Sequence, residues 1–194
     1  GDGAEPVLLE PFTASVRLLV AGPPRSGRTT TLRLLLQQSA LNGIKAVVAA
    51  PARSALYADA LRLGSAVLTP QGAPDVFSDS ADLLLVDDSE AFADTAVGEL
   101  ITGWIRDHDA SPAVVASARS DELATTYRGI AVDVRRSRCG ILLRPHSVDG
   151  ELLGVRLPRR STSDPPGRGV MVGDPSWGSL FEHGDPVPIQ VAKP

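Results

Sequence analysis

An apolar run, Val16-Arg17-Leu18-Leu19-Val20-Ala21, breaks into Gly22-Pro23-Pro24-Arg25-Ser26-Gly27 and resumes as Arg28-Thr29-Thr30-Thr31-Leu32. This order reads as a buried strand, a glycine-framed loop and the opening turn of a helix. Gly22, Gly27 and Thr29 keep the G-x-x-x-x-G-K-[ST] spacing of a Walker A phosphate loop, with Arg28 where the lysine belongs. Most of that motif's physics lies in the backbone, where consecutive N–H groups and a helix N-terminus form a nest for phosphate oxygens. Gly22 to Thr30 can therefore still cradle a nucleotide. Arg28 bears on hydrolysis instead, because a planar guanidinium does not replace a compact ammonium. An ordinary glycine turn before a helix is the alternative, and the flanking strand and the Leu32, Leu35 and Leu36 face of the helix count against it.

A second element follows downstream. Leu83-Leu84-Leu85-Val86 is an apolar run that ends in two carboxylates, Asp87 and Asp88. This is the pattern of a Walker B strand, in which Asp87 would join Thr29 on the Mg²⁺ side of a bound triphosphate. The next acid in active examples is a glutamate that orients the attacking water. Here it is Asp88, one methylene shorter, and a misplacement of about 1 Å can cost about 10²-fold in rate. Asp87-Asp88-Ser89 as a plain helix cap is the alternative, weakened by the phosphate loop upstream.

Around these motifs, apolar segments alternate with helical ones. Ala46–Ala50, Ala66–Leu68, Pro112–Ser117, Gly140–Leu143, Val170–Val172 and Pro188–Val191 read as strands, and so does the alternating Ile130–Val134. Helices are expected after the phosphate loop, over Ala55–Leu63, and near Asp94–Arg106 with Val97, Leu100, Ile101 and Trp104 at helical spacing. Such buried strands separated by helices predict an α/β fold with a mostly parallel sheet covered on both faces. Residues 1–194 suit one domain. Aromatics make up only 4%, so Leu, Val and Ala must fill the core. The single Cys139 excludes an intramolecular disulfide and a cysteine zinc cluster. No run approaches the roughly 18 apolar residues of a membrane span. The start at Gly1-Asp2-Gly3, with Met171 the only methionine, suggests a piece excised from a longer chain.

The net charge of −4 argues against wholesale nucleic-acid binding, yet the charge is uneven. From Arg128 to Arg168 nine arginines face four acids, leaving +5 there and −9 elsewhere. A DNA-facing surface, an arginine finger, a docking patch and a plain solvated face all remain open readings.

The chain resembles the FtsK/SpoIIIE-type motor domains, specifically the actinobacterial type VII (ESX) secretion ATPases called EccC. The likeness rests on Ala21–Thr30, Leu84–Asp88, Ala116-Ser117-Ala118-Arg119, Tyr127-Arg128-Gly129 and Arg135–Leu143. It continues through Gly150–Val155, Pro165–Val172 and Ile189-Gln190-Val191-Ala192, covering nearly the whole chain. The resemblance implies a RecA-like P-loop NTPase fold, ATP and Mg²⁺ as ligands, and a cytoplasmic domain of a membrane-anchored chain. It also implies partners: other ATPase domains of the same chain, neighbouring subunits of a hexamer, and a secreted substrate. By the same resemblance, the Ile189-Gln190-Val191-Ala192 block implies the last position among stacked motors. Against the family pattern, Ala118 stands where a glutamine precedes the arginine, removing a polar sensor of the γ-phosphate. With Arg28, Asp88 and Ala118 all altered, the resemblance favours an ATP-binding, catalytically attenuated, regulatory module. An active ATP-hydrolysing motor and a DNA-translocating domain are the alternatives, the latter disfavoured by overall acidity and the lack of interleaved aromatics.

Overall fold

The computed structural model describes residues 16–72, 81–107, 113–157, 164–174, 181 and 185–192. Strands β1 (Arg17–Ala21), β2 (Ala46–Ala49), β3 (Ala66–Leu68), β4 (Leu83–Val86) and β5 (Ala113–Ala118) come first. Then follow β6 (Gly140–Leu143), β7 (Arg168–Val172) and β8 (Val187–Gln190). They form one sheet in the order β3-β2-β4-β5-β1-β6-β7-β8. Every pairing from β3 to β6 is parallel, whereas β7 and β8 add on antiparallel. Strand β1, which leads into the Gly22–Gly27 loop, and the acid-bearing strand β4 thus lie on either side of β5. Register aligns their C-terminal ends: Ala21 faces Ala118, and Val86 faces Ala116.

The strands β4, β5 and β6 are buried at every residue, as expected of a sheet covered on both sides. Because strand side chains alternate, Leu19, Leu84, Val114 and Leu142 enter one core layer while Leu18, Leu85, Val115 and Ile141 enter the other. Helices α1 (Arg28–Leu41) and α2 (Ala55–Arg62) cover the second layer with Leu32, Leu36, Leu56 and Ala60. On the opposite face α3 (Ala96–Asp107), α4 (Ser120–Thr125) and α5 (Ile130–Arg135) pack Val97, Ile101, Leu123 and Val134. In α3 the buried stripe is Val97, Gly98, Ile101 and Ile105, so Leu100 faces outward at 43% exposure.

The segment Ile130–Val134 corrects a sequence expectation. It is not a strand but the body of α5, with Ile130, Ala131, Val132, Asp133 and Val134 all buried. The apolar–polar alternation misled because Asp133 does not face water. Its carboxylate turns inward and accepts from Arg106 Nε at 2.9 Å, with Arg136 Nη1 3.2 Å away. Gly129, at φ 108, turns the chain into that helix.

Strand β8 alternates half-buried and exposed residues and carries Pro188, as an edge strand can. The loop preceding β7 reaches back to the Gly22–Gly27 loop. Gly167 N–H donates to Ser26 O at 2.7 Å, and Val191 N–H donates to Gly167 O at 2.8 Å. Pro112, expected to open the strand Pro112–Ser117, and Arg159 and Arg160 of the basic stretch lie outside the described residues.

Candidate nucleotide site

The loop between β1 and α1 is shaped by two glycines with different reasons to be there. A Cβ on Gly22 would sit 2.6 Å from Leu143 O, so the β1 end can pass that carbonyl only without a side chain. Gly27 has φ 108, a left-handed conformation that lets the chain turn into α1. Arg25 is also left-handed, at φ 62, and Ser26 N–H closes a turn onto Pro23 O at 3.2 Å. Pro23 and Pro24 supply no N–H. The donors are therefore the first-turn amides of a fourteen-residue helix, which no side chain caps. Thr31 Oγ1 turns back onto Gly27 O at 3.0 Å and leaves that end open.

Opposite the helix, Asp87 is fully buried and surrounded by hydroxyl donors. Thr29 Oγ1 lies 3.0 and 3.2 Å from its two carboxylate oxygens, Ser54 Oγ donates at 2.6 Å and Ser117 Oγ at 2.8 Å. Its backbone N–H donates to Ala49 O at 2.8 Å. Thr29 and Asp87, paired from the sequence, do meet. Ser54 and Ser117 were missed. Ser54 also caps α2 by accepting Leu56 N–H, which was its only visible role in sequence. Ser117 precedes Ala118 and also accepts Asp88 N–H at 3.0 Å, so a buried hydroxyl stands one residue before the expected polar sensor.

The rest of the site is ionic. Arg28, its side chain only 11% exposed, sets Nη2 3.2 Å from Asp88 Oδ1 and Nη1 3.3 Å from Glu90 Oε1. Arg53 approaches the other Asp88 oxygen at 3.6 Å. Asp88 itself has φ 46, a strained conformation of the kind that clusters at ligand sites. Glu90, on a 3₁₀ turn at Ser89–Phe92, was not expected from the sequence at all. Burial is the main force raising its pKa above 4.5, partly opposed by a backbone hydrogen bond and by Arg28. Arg119 does not turn toward the loop. Its guanidinium binds Asp121 at 2.7 Å and Glu122 at 2.8 Å, while its backbone N–H donates to Glu90 Oε1 at 3.2 Å.

These residues fit a polyphosphate with a hard cation. An uncapped helix end suits the anion, and a hydroxyl–carboxylate pair suits Mg²⁺, which holds few protein ligands and relies on phosphates and water. Among the described residues no cluster of three His, Cys, Asp or Glu is placed to hold a metal alone. Beside the site, a cavity of about 580 Å³ opens between Glu90, Arg119 and the faces of α3 and α5.

Solved structures share this architecture. The cytoplasmic domain of EssC superposes at a TM-score of 0.66 and 13% identity, over 91% of this chain and 39% of that one. The chain has the fold of the EssC and EccC cytoplasmic ATPase domains. The cytoplasmic domain of the Thermomonospora curvata type VII secretion ATPase EccC gives 0.60 at 17% identity, over 91% of this chain and 24% of that one. EssC ATPases 2 and 3 from Geobacillus thermodenitrificans give 0.63 at 12% identity, over 91% and 36%. The chain therefore spans less than half the length of each of these structures. No protein-family model matches the sequence, and no curated protein matches it significantly. No described helix is long and apolar enough to cross a membrane.

Proposed function

We propose that this chain is a nucleotide-binding, catalytically attenuated ATPase module of a type VII secretion machine, acting on its neighbours rather than as an independent motor. The observation that carries the reading is a divided site: Thr29 and Asp87 are joined as a Mg²⁺–phosphate site needs, while Arg28 is engaged by Asp88 and Glu90. The amides from Gly27 to Thr30 would hold the phosphates, and Thr29 with Asp87 would orient the cation's water shell. A Mg²⁺ ion held by Thr29 and Asp87 would neutralise phosphate charge.

Hydrolysis needs a water-orienting base and a cation on the transferred phosphoryl group, and positioning supplies nearly all of the catalysis. Asp88 is already the partner of Arg28, and Arg119 is held by the acids of α4, so both groups have other work. A bound nucleotide then acts as a structural ligand that stabilises the fold by linkage. The fold likeness supports other ATPase domains of the same chain and adjacent subunits as partners, on the cytoplasmic side of a membrane-anchored assembly, with a secreted protein as the cargo. DNA is the disfavoured partner: Arg128 and Arg136 of the basic segment are paired with Asp94 and Asp133.

Calorimetry with millimolar Mg·ATP, followed by single-turnover hydrolysis, tests the reading. Binding with turnover on the order of 10⁻² s⁻¹ or slower is expected, against the roughly 1–100 s⁻¹ of active kinases. A rate near about 1 s⁻¹ sinks attenuation and promotes the active motor. Absence of binding removes the module reading. Steeply salt-dependent DNA binding would restore the translocase alternative.

A further inference from the structure

Arg28 opens α1 at the position from which a basic side chain reaches toward the phosphate chain. Its guanidinium instead spans two internal carboxylates, 3.2 Å from Asp88 and 3.3 Å from Glu90. Both carboxylates are only about a quarter exposed, at 25% and 24%, so the pairs are shielded from full solvent screening. Asp88 follows Asp87 directly and has a second cation in Arg53. Glu90 differs. Its Oε1 is shared between Arg28 and the Arg119 N–H, and its buried Oε2 has no hydrogen-bond partner among the described residues. A carboxylate so poorly satisfied gains little from its site apart from the cation it holds.

We propose that Glu90 is a built-in competitor for polyphosphate, holding Arg28 in an ion pair that an entering phosphate chain must break and so setting the affinity of the loop. The proposal rests on the nucleotide-binding reading of the same loop. It assigns Glu90 a regulatory role at the site and explains why an acid stands where its own burial is unfavourable. Release of Arg28 leaves Glu90 with the Arg119 N–H alone. Because Glu90 also lines the cavity between α3 and α5, occupancy of the loop changes the charge balance on that cavity's wall. Loop and cavity are coupled through one side chain.

The test is calorimetric titration of wild type, Glu90→Gln and Glu99→Gln with Mg·ATP and, separately, with magnesium pyrophosphate at fixed ionic strength. Glu99 lines the same cavity and is exposed, whereas the Arg28 ion pairs among the described residues go to Asp88 and Glu90, so Glu99 controls for the loss of one negative charge. Glu90→Gln is expected to bind both ligands about fivefold more tightly, the scale of one ion pair, with Glu99→Gln near wild type. Equal affinity of wild type and Glu90→Gln overturns the competitor and leaves the nucleotide reading standing. An equal gain in Glu99→Gln also overturns it, as a general charge effect. A gain for pyrophosphate alone, with no ATP binding by any protein, supports the competitor and overturns the nucleotide reading. No binding of either ligand by any of the three overturns both. Should Glu90→Gln fold poorly, Glu90→Ala in the same titrations carries the same expectations.

Discussion

Two neighbouring clusters hold the same loop by different physics. Around Asp87 the partners are neutral hydroxyls, Thr29, Ser54 and Ser117, on a carboxylate with no exposure. Around Arg28 the partners are charges, Asp88 and Glu90, each partly open to water. The first arrangement gives both carboxylate oxygens hydroxyl donors on short side chains from three different parts of the fold, so it behaves as part of the core. The second can rearrange, because guanidinium and carboxylates can exchange partners with an incoming anion. On the nucleotide-binding reading proposed above, the residues assigned to the metal side are thereby kept rigid while the charge assigned to the phosphate side is kept adjustable.

The comparison breaks most readily at Asp87. Asp87→Ala leaves the buried hydroxyl of Ser117 and the half-buried hydroxyls of Thr29 and Ser54 without their acceptor and is expected to destabilise the fold by about 2–4 kcal/mol, read by chemical denaturation. The same variant should lose the Mg²⁺-dependent part of ATP binding while retaining the Mg²⁺-free part. Unchanged stability would show that the hydroxyl cluster is not structural. Ser117→Ala is the next step down, at about 1–2 kcal/mol, because it removes one donor from Asp87 and the acceptor of Asp88 N–H.

At the charged cluster the expected sign is reversed. Glu90 has its pKa raised in the folded protein, so its contribution to stability is full below 4.5 and is lost as pH rises through the folded value. Glu90→Gln should therefore melt no lower than wild type at pH 7 and show a flatter pH dependence above 4.5. A clear drop in melting temperature at pH 7 would move Glu90 into the structural class beside Asp87. The smallest effect concerns Cys139, whose thiol is pushed up to about 11, chiefly by burial and secondarily by Asp174. It should resist alkylation at pH 8 in the native protein, and the stability it contributes should be lost between about pH 9 and about 11. Rapid native alkylation at pH 8 would contradict that burial.

Local pattern was enough wherever an element is strongly marked. The apolar run before Gly22 and the one before Asp87 could hardly be anything but buried strands, and the glycine spacing set the turn between β1 and α1. The pairing of Thr29 with Asp87 followed because both motifs end on the same edge of a parallel sheet. Ile130–Val134 escaped because a six-residue helix spans less than two turns, and Asp133 mimicked a solvent-facing position while binding Arg106. Ser54, Ser117 and Glu90 escaped for a related reason. Each belongs to a stretch with an adequate local role, and its importance arises only from what another element brings near.

The sequence by itself determined the α/β class, the glycine-framed loop between β1 and α1, the acid at the end of β4 and the departures of Arg28, Asp88 and Ala118 from the motif patterns. These are properties of short segments, written in periodicity, glycine placement and motif spacing. Tertiary structure alone decided that Arg28 is claimed by Asp88 and Glu90, that Asp87 is closed in by three hydroxyls, and that Arg119 turns away to the acids of α4. The reason is physical: an ion pair or a buried hydrogen bond is chosen by competition among all groups the fold brings within reach, and no single segment contains both competitors.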